Sequence, residues 1–297
     1  VPVSLGKHAT AQDVTAGIDL RGKTAVVTGV NAGLGHETMR VLALRGAHVL
    51  GTARSGDAGQ RACSGIAGRA SPLVLDLADF ESVAHCADQI RAMQIPVDML
   101  ICNAGIMQRR IERVRGLEKH FVVNHLGHFI LVNRLQPQIE AAEQGRVVVV
   151  GSEAHRAART GIELDNLTGE RGFPGLRAYG HSKLANGLFS LELARRLAGT
   201  RATSNAVHPG VVRTQIARYL PRWQRAIFDA IGPWMLKTVA EGAATICYVA
   251  ADPGLAGVSG RYFADCRSVQ PSPWMQDEAM AAKLWSVSER LTREFLL

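Results

Sequence analysis

The chain has 297 residues, 47% apolar, 20% charged and 5% aromatic, a composition outside the range of disorder, and its 30 glycines and 11 prolines exclude coiled coil and collagen. No apolar stretch approaches the ~18 residues of a membrane helix, and the N-terminus lacks the apolar core of a secretion signal, so a soluble cytoplasmic protein with no membrane span is expected. The formal charge of +8 comes from basic residues scattered among acids rather than from a dense run, which argues against a nucleic-acid partner.

In chain order, Thr24 to Thr28 is a short β-rich run. Glycines follow at once, then a helical pattern that puts Leu34, Thr38, Val41 and Leu42 on one face, with Gly46 marking its end. Ala47 to Thr52 and Pro72 to Leu75 read as the next strands. Asp79 to Met93 reads as a helix with Asp79 as its N-cap and Pro96 beyond its end. Val97 to Cys102 and Arg146 to Val150 are apolar runs of the kind buried on both faces of a parallel sheet, and Gly116 to Glu143 between them is a long helical candidate. Leu176 to Leu197 is helical, Thr203 to Val207 a strand and Val239 to Ala250 another helix.

This alternation predicts an α/β fold, a Rossmann-type doubly wound parallel sheet of about seven strands. No repeat or linker divides the chain, so residues 1–297 are expected to form a single domain, with 1–18 as an N-terminal extension. Two segments interrupt the alternation. Ala154 to Arg177 is rich in glycine, arginine and polar residues, whereas 214–238 carries Trp223, Phe228, Trp234 and Met235 and is expected to serve as a substrate lid.

The five cysteines are an odd number, with no pair at zinc or redox spacing, which points to free thiols in a reducing compartment. His36, His125, His128, His155 and His208 form no pair with metal-ligand support, so no metal is expected. Of these, His155 is the one expected to border substrate.

Three patterns carry chemistry. Gly29, Gly33 and Gly35 stand where the first strand turns into the first helix, a placement that lets a pyrophosphate approach the backbone and meet the free N–H groups of the helix N-terminus. At the end of the second strand, where an acid would bind the ribose hydroxyls of NAD, the residues are Ala53 and then Arg54, which fits the 2′-phosphate of NADP. Tyr179 and Lys183 lie four apart on a predicted helix, hence on one face. A free phenol, with its pKa near 10, is a poor proton shuttle at neutral pH, and a neighbouring ammonium favours its ionised form.

Gly29, Gly33 and Gly35, Asn103-Ala104-Gly105, Asn124, Ser152, Tyr179 with Lys183, and His208-Pro209-Gly210 with Thr214 together resemble, in type and order, the short-chain dehydrogenase/reductase family. Gly151-Ser152-Glu153-Ala154-His155, the segment 181–194 and the segment 271–290 are similar to its retinol dehydrogenase and WW-domain oxidoreductase branch. The resemblance implies Tyr179 as general acid/base and Ser152 as the residue that orients and polarises the substrate oxygen. Lys183 would lower the tyrosine pKa and hold the nicotinamide ribose, and Asn124 would sustain a water-linked proton relay. Cofactor contacts would come from Asn31, Leu34 and the glycines, from Asp76 and Leu77 at the adenine, from Asn103, Ala104 and Gly105 along the cleft, and from Pro209, Val212 and Thr214 at the carboxamide. Cys102 and Gly151 depart from the common family pattern at non-catalytic positions.

The expected activity is hydride transfer between NADP(H) and a small-molecule substrate that is a bulky lipophilic ketone, aldehyde or secondary alcohol, with His155, Trp223 and Phe228 lining it. The competing readings are an NADP(H)-sensing protein that docks a partner, and a sugar-nucleotide epimerase. Retention of Asn124, Ser152, Tyr179 and Lys183 disfavours the first, and the glycine spacing and chain length disfavour the second. Relatives often form a homodimer through the helices that carry Asn124 and Tyr179, a surface the excursion before Tyr179 could obstruct.

Overall fold

The computed structural model describes residues 8–171, 175–212 and 236–297. Its centre is a sheet whose strands are β1 (Thr24–Thr28), β2 (His48–Ala53), β3 (Arg69–Val74), β4 (Met99–Cys102), β7 (Arg146–Val150), β8 (Thr203–His208), β9 (Tyr262–Ala264) and β10 (Arg267–Ser268). They are ordered β10-β9-β8-β7-β4-β1-β2-β3. Seven strands run parallel and β10 turns back antiparallel on β9, so the sheet has eight strands, one more than the sequence suggests. The extra strand is two residues long, too short for an alternation pattern to register.

The apolar runs become the central strands because both faces are covered. Val26, Leu50, Leu100 and Val147 point to one layer, while Ala25, Val27, Val49, Ile101 and Val148 point to the other. The first layer holds α4 (Phe80–Ala92), α6 (Gly127–Glu140), α7 (Gly175–Arg196) and α9 (Glu278–Thr292), and the second holds α2 (Gly33–Leu44) and α8 (Val239–Ala251). Within the expected extension, α1 (Ala11–Val14), capped by Thr10, packs its buried Ala11 and Val14 into the second layer. All five cysteines are free and buried. Among the described residues, no helix is long and apolar enough to cross a membrane.

The long helix expected over 116–143 is broken instead. Arg115 and Gly116 take positive φ (54° and 77°) at the turn of a hairpin, β5 (Arg113–Val114) with β6 (Leu117–Glu118), and only then does α5 (Lys119–Phe121) begin. A π-turn over Val122–Leu126, in which the Gly127 N–H reaches back to the Val122 carbonyl, separates α5 from α6. Single-turn π-bulges of this kind are frequent at functional sites. Because β1 has β2 on one side and β4 on the other, the chain reverses its winding there, and the crevice outside the carboxyl ends of β1 and β4 is the place for a ligand.

Candidate active site

β1 ends at Thr28, and Gly29 and Gly33 then take positive φ (74° and 64°) to turn the chain into α2. A Cβ on Gly33 would meet nothing within 4 Å, whereas one on Gly35 would lie 2.3 Å from the Gly29 carbonyl oxygen and 2.5 Å from Asn103 Nδ2. Gly35 is therefore needed for close approach, and Gly33 leaves open space. α2 begins after Ala32, which cannot cap it, whereas Thr10, Ser55, Asp79, Thr238 and Asp277 cap other helices with side-chain oxygens. Uncapped N–H groups beside open space suit a diphosphate, so the residues present fit a dinucleotide. Leu34 is buried and packs beside Val212 against Gly242 of α8.

Arg54 is exposed directly after β2, at the head of α3 (Gly56–Ser64). After β3, the Asp76 carboxylate accepts the Ala78 N–H at 2.9 Å, and Leu77 is buried. Asn103-Ala104-Gly105 follows β4 and is tied across the sheet: the N–H groups of Asn103 and Ala104 donate to Thr28 Oγ1, both at 2.9 Å, and Asn103 Nδ2 donates to the Thr28 carbonyl at 2.8 Å.

Asn124 sits in the π-turn, fully buried. Its Oδ1 accepts from the Ile106 N–H at 2.8 Å, and its Nδ2 donates to the Ile106 carbonyl at 3.0 Å and to Ser182 Oγ at 2.9 Å. Ser182 in turn donates to the Tyr179 carbonyl at 2.8 Å. The helix that carries Tyr179 is thus bonded to the loop that follows β4.

Lys183 lies one turn beyond Tyr179 on α7, with its ammonium 5.7 Å from the centre of the tyrosine ring. Lys183 Nζ donates to the Val150 carbonyl at the end of β7 at 2.9 Å. Burial pushes the Lys183 ammonium down to about 8. Tyr179 is half-buried, with the ring of His120 edge-on at 6.2 Å. His120 is itself held between Glu118 Oε1 at 2.6 Å and the Gln108 N–H at 2.8 Å.

Ser152 follows β7, and its Oγ accepts the Ala154 N–H at 3.1 Å. Gly180 brings this segment onto α7, since a Cβ there would lie 2.6 Å from the Ala154 carbonyl oxygen. His155 is wholly enclosed, with Nδ1 bonded to the Ser152 carbonyl at 2.6 Å and Nε2 accepting the Ser272 N–H at 3.1 Å, so it braces the Ser152 turn.

Pro209 and Gly210 leave β8, and Val212 is buried and bridged to Lys237. Thr214, Trp223 and Phe228, with most of the expected lid over 214–238, lie outside the described residues. A depression of about 1180 Å³ lies far from this crevice, at the amino-terminal ends of the central strands, lined by Leu20, Asp98, Arg146 and Thr203.

Three positions in this arrangement were not singled out for their chemistry in the sequence: Thr28, Ser182 and His128. Ser182 sits beside Lys183 and could have been noticed as a hydroxyl on the Tyr–Lys face. Thr28 and His128 are 100 residues apart and meet only in the fold.

The sequence model of the short chain dehydrogenase family matches residues 23–225. The WW domain-containing oxidoreductase of Homo sapiens is 40% identical, with 97% of this chain and 72% of that protein covered. Retinol dehydrogenase 14 of Mus musculus is 39% identical, with 91% and 86% covered. Among solved structures, an uncharacterized protein from Mycobacterium Paratuberculosis is similar at a TM-score of 0.76 and 34% identity, over 96% of this chain and 98% of that one.

Proposed function

The chain belongs to the short-chain dehydrogenase family, and from that premise we propose that it is an NADP(H)-dependent oxidoreductase acting on a lipophilic ketone, aldehyde or secondary alcohol, with Tyr179 as general acid/base. The observation that carries this reading is the placement of Tyr179 and Lys183 together on α7, with the ammonium 5.7 Å from the phenol ring, at the same ends of the strands as the open glycine turn. When bound, the nicotinamide supplies or accepts the hydride.

The chain's own residues do the rest. Tyr179 gives its proton to the carbonyl oxygen during reduction and takes one from the alcohol during oxidation. The positive charge of Lys183 favours the phenolate, and its ammonium, which spends one bond on the Val150 carbonyl, would hold the ribose with the others. Ser152 Oγ already accepts one N–H, so its own proton is free to be donated to the substrate oxygen. Asn124 supports a water-linked path that returns protons to Lys183.

Asn31, Gly33, Leu34 and Gly35 offer backbone N–H groups to the phosphates, Arg54 pairs with the 2′-phosphate, and Asp76 and Leu77 border the adenine. Asn103, Ala104 and Gly105 form the cleft wall, and Pro209, Val212 and Thr214 hold the carboxamide. The lipophilic preference is supported by the retinol dehydrogenase relative and by the apolar residues Trp223 and Phe228 in the sequence after Thr214.

A series of ketones of rising apolar size, assayed with NADPH, tests this reading. The expected result is kcat/KM rising with apolar size, with Trp223→Ala and Phe228→Ala each altering that selectivity. A preference for small polar carbonyls would contradict the substrate class, and no turnover of any carbonyl or alcohol would contradict the activity.

A further inference from the structure

A buried chain of hydrogen bonds runs from the cofactor cleft to the π-turn through His128. His128 Nε2 lies 2.9 Å from Thr28 Oγ1, and its Nδ1 lies 3.1 Å from the carbonyl oxygen of Asn124. Thr28, Asn124 and His128 are all essentially closed to solvent.

The direction of every proton in this chain is fixed by its two ends. At one end the Asn124 carbonyl can only accept, so Nδ1 carries the imidazole proton. Burial pushes His128 down to about 4, with the Lys183 ammonium acting in the same direction, so the ring is neutral and Nε2 is an acceptor. At the other end the Thr28 oxygen already accepts the N–H groups of Asn103 and Ala104, and because Nε2 carries no proton the Thr28 hydroxyl turns its own to Nε2 at 2.9 Å, nearer than the Ile101 carbonyl at 3.3 Å. The five groups form one polarised series, from the Asn103 and Ala104 amides through the Thr28 hydroxyl and the His128 ring to the Asn124 carbonyl.

Its mechanical consequence follows from the π-turn. Asn124 lies within the π-turn, and His128, one turn further on, holds its carbonyl through Nδ1. The same ring holds Thr28, to which the Asn103-Ala104 loop is pinned. Asn124 also grips that loop directly, through Ile106.

We propose that His128 is a positioning residue that locks the register of the Asn103-Ala104-Gly105 cofactor loop to that of Asn124, so that the dinucleotide cleft and the Tyr179–Lys183 pair are held as one unit. The proposal rests on the functional reading above, on its cofactor where affinity is measured and on its activity where turnover is measured.

Three substitutions separate the two halves of the ring's role. His128→Leu keeps the bulk and removes both bonds. His128→Gln retains an acceptor near the Nε2 position, serving Thr28, and His128→Asn retains a donor near the Nδ1 position, serving the Asn124 carbonyl. NADPH affinity is read by fluorescence titration and kcat with the best ketone.

The expected result for His128→Leu is a Kd raised about tenfold and a kcat lowered about tenfold, the effect of one lost buried bond on each side. His128→Gln should return Kd to within about twofold of wild type and leave kcat low, while His128→Asn should return kcat and leave Kd raised. The proposal is overturned if the three variants match one another or wild type in both quantities and differ only in melting temperature. If His128→Leu does not fold, the opposed Gln and Asn results still decide. Wild-type protein that binds NADPH but turns over no carbonyl refutes the activity, and the Kd comparison alone then judges His128. Wild-type protein that binds no nicotinamide cofactor refutes both.

Discussion

Lys183 holds its ammonium, buried, 2.9 Å from the carbonyl oxygen of Val150, and desolvation alone shifts it. The fold thus carries a cation where desolvation opposes it, and burial pushes the group from 10.5 down to about 8. A desolvated ammonium of this kind fits the role proposed for Lys183.

The sign of the effect on stability follows from proton counting. Between about pH 8 and 10.5 the unfolded chain keeps a proton on Lys183 that the folded chain has shed, so stability rises with pH in that window, and the full cost of the buried charge is borne below it. Lys183→Met removes the charge, and the Val150 carbonyl retains Asn186 Nδ2 at 3.2 Å. The variant is predicted to melt roughly 2–5 °C higher than wild type at pH 7, with the gap closing as the pH is raised through this window, and to lose turnover. Melting curves across pH check this; a variant less stable at every pH contradicts it.

The glycine turn gives a second contrast. Gly35→Ala drives a methyl to 2.3 Å from the Gly29 carbonyl oxygen, and overpacking of that kind costs about 1–3 kcal/mol, so both melting temperature and NADPH affinity should fall. Gly33→Ala meets no neighbour and pays only the left-handed backbone cost of about 1–2 kcal/mol, yet its methyl enters the space assigned to the diphosphate. Thermal melts with NADPH titrations should show Gly33→Ala losing far more affinity than stability. Wild-type affinity in that variant contradicts the phosphate assignment.

Arg54 is proposed to set cofactor choice. A guanidinium–phosphate pair contributes about 1.5–3 kcal/mol, so Arg54→Ala should weaken NADPH by at least about tenfold while leaving NADH nearly unchanged. Equal losses for both cofactors contradict the assignment.

Much of this was legible in the residues. β1 and β7 match the apolar runs Thr24–Thr28 and Arg146–Val150 residue for residue, because strands buried on both faces leave an unbroken signal. α7 matches within a residue at each end, and the spacing of four between Tyr179 and Lys183 places them together on any helix. α3 was not legible, because the residues it buries, Gly59, Ala62 and Cys63, are only three of nine and are small. The break in the helix expected over 116–143 comes from a hairpin turn at Arg115-Gly116 and a π-turn, neither of which hydrophobic periodicity registers. The bonds joining Thr28, His128 and Asn124 were out of reach for another reason: they connect a strand end to a helix through tertiary packing alone.

The central claim is that Tyr179 moves the proton while the cofactor moves the hydride, and one comparison tests it most directly. Wild type and Tyr179→Phe are each given NADPH deuterated at the transferring position of C4, at saturation, with a lipophilic ketone. The account predicts that wild type delivers the deuterium to the carbinol carbon, and that Tyr179→Phe binds the cofactor as well but transfers label ~10²–10⁴-fold more slowly. Transfer by Tyr179→Phe at a rate close to that of wild type would contradict it.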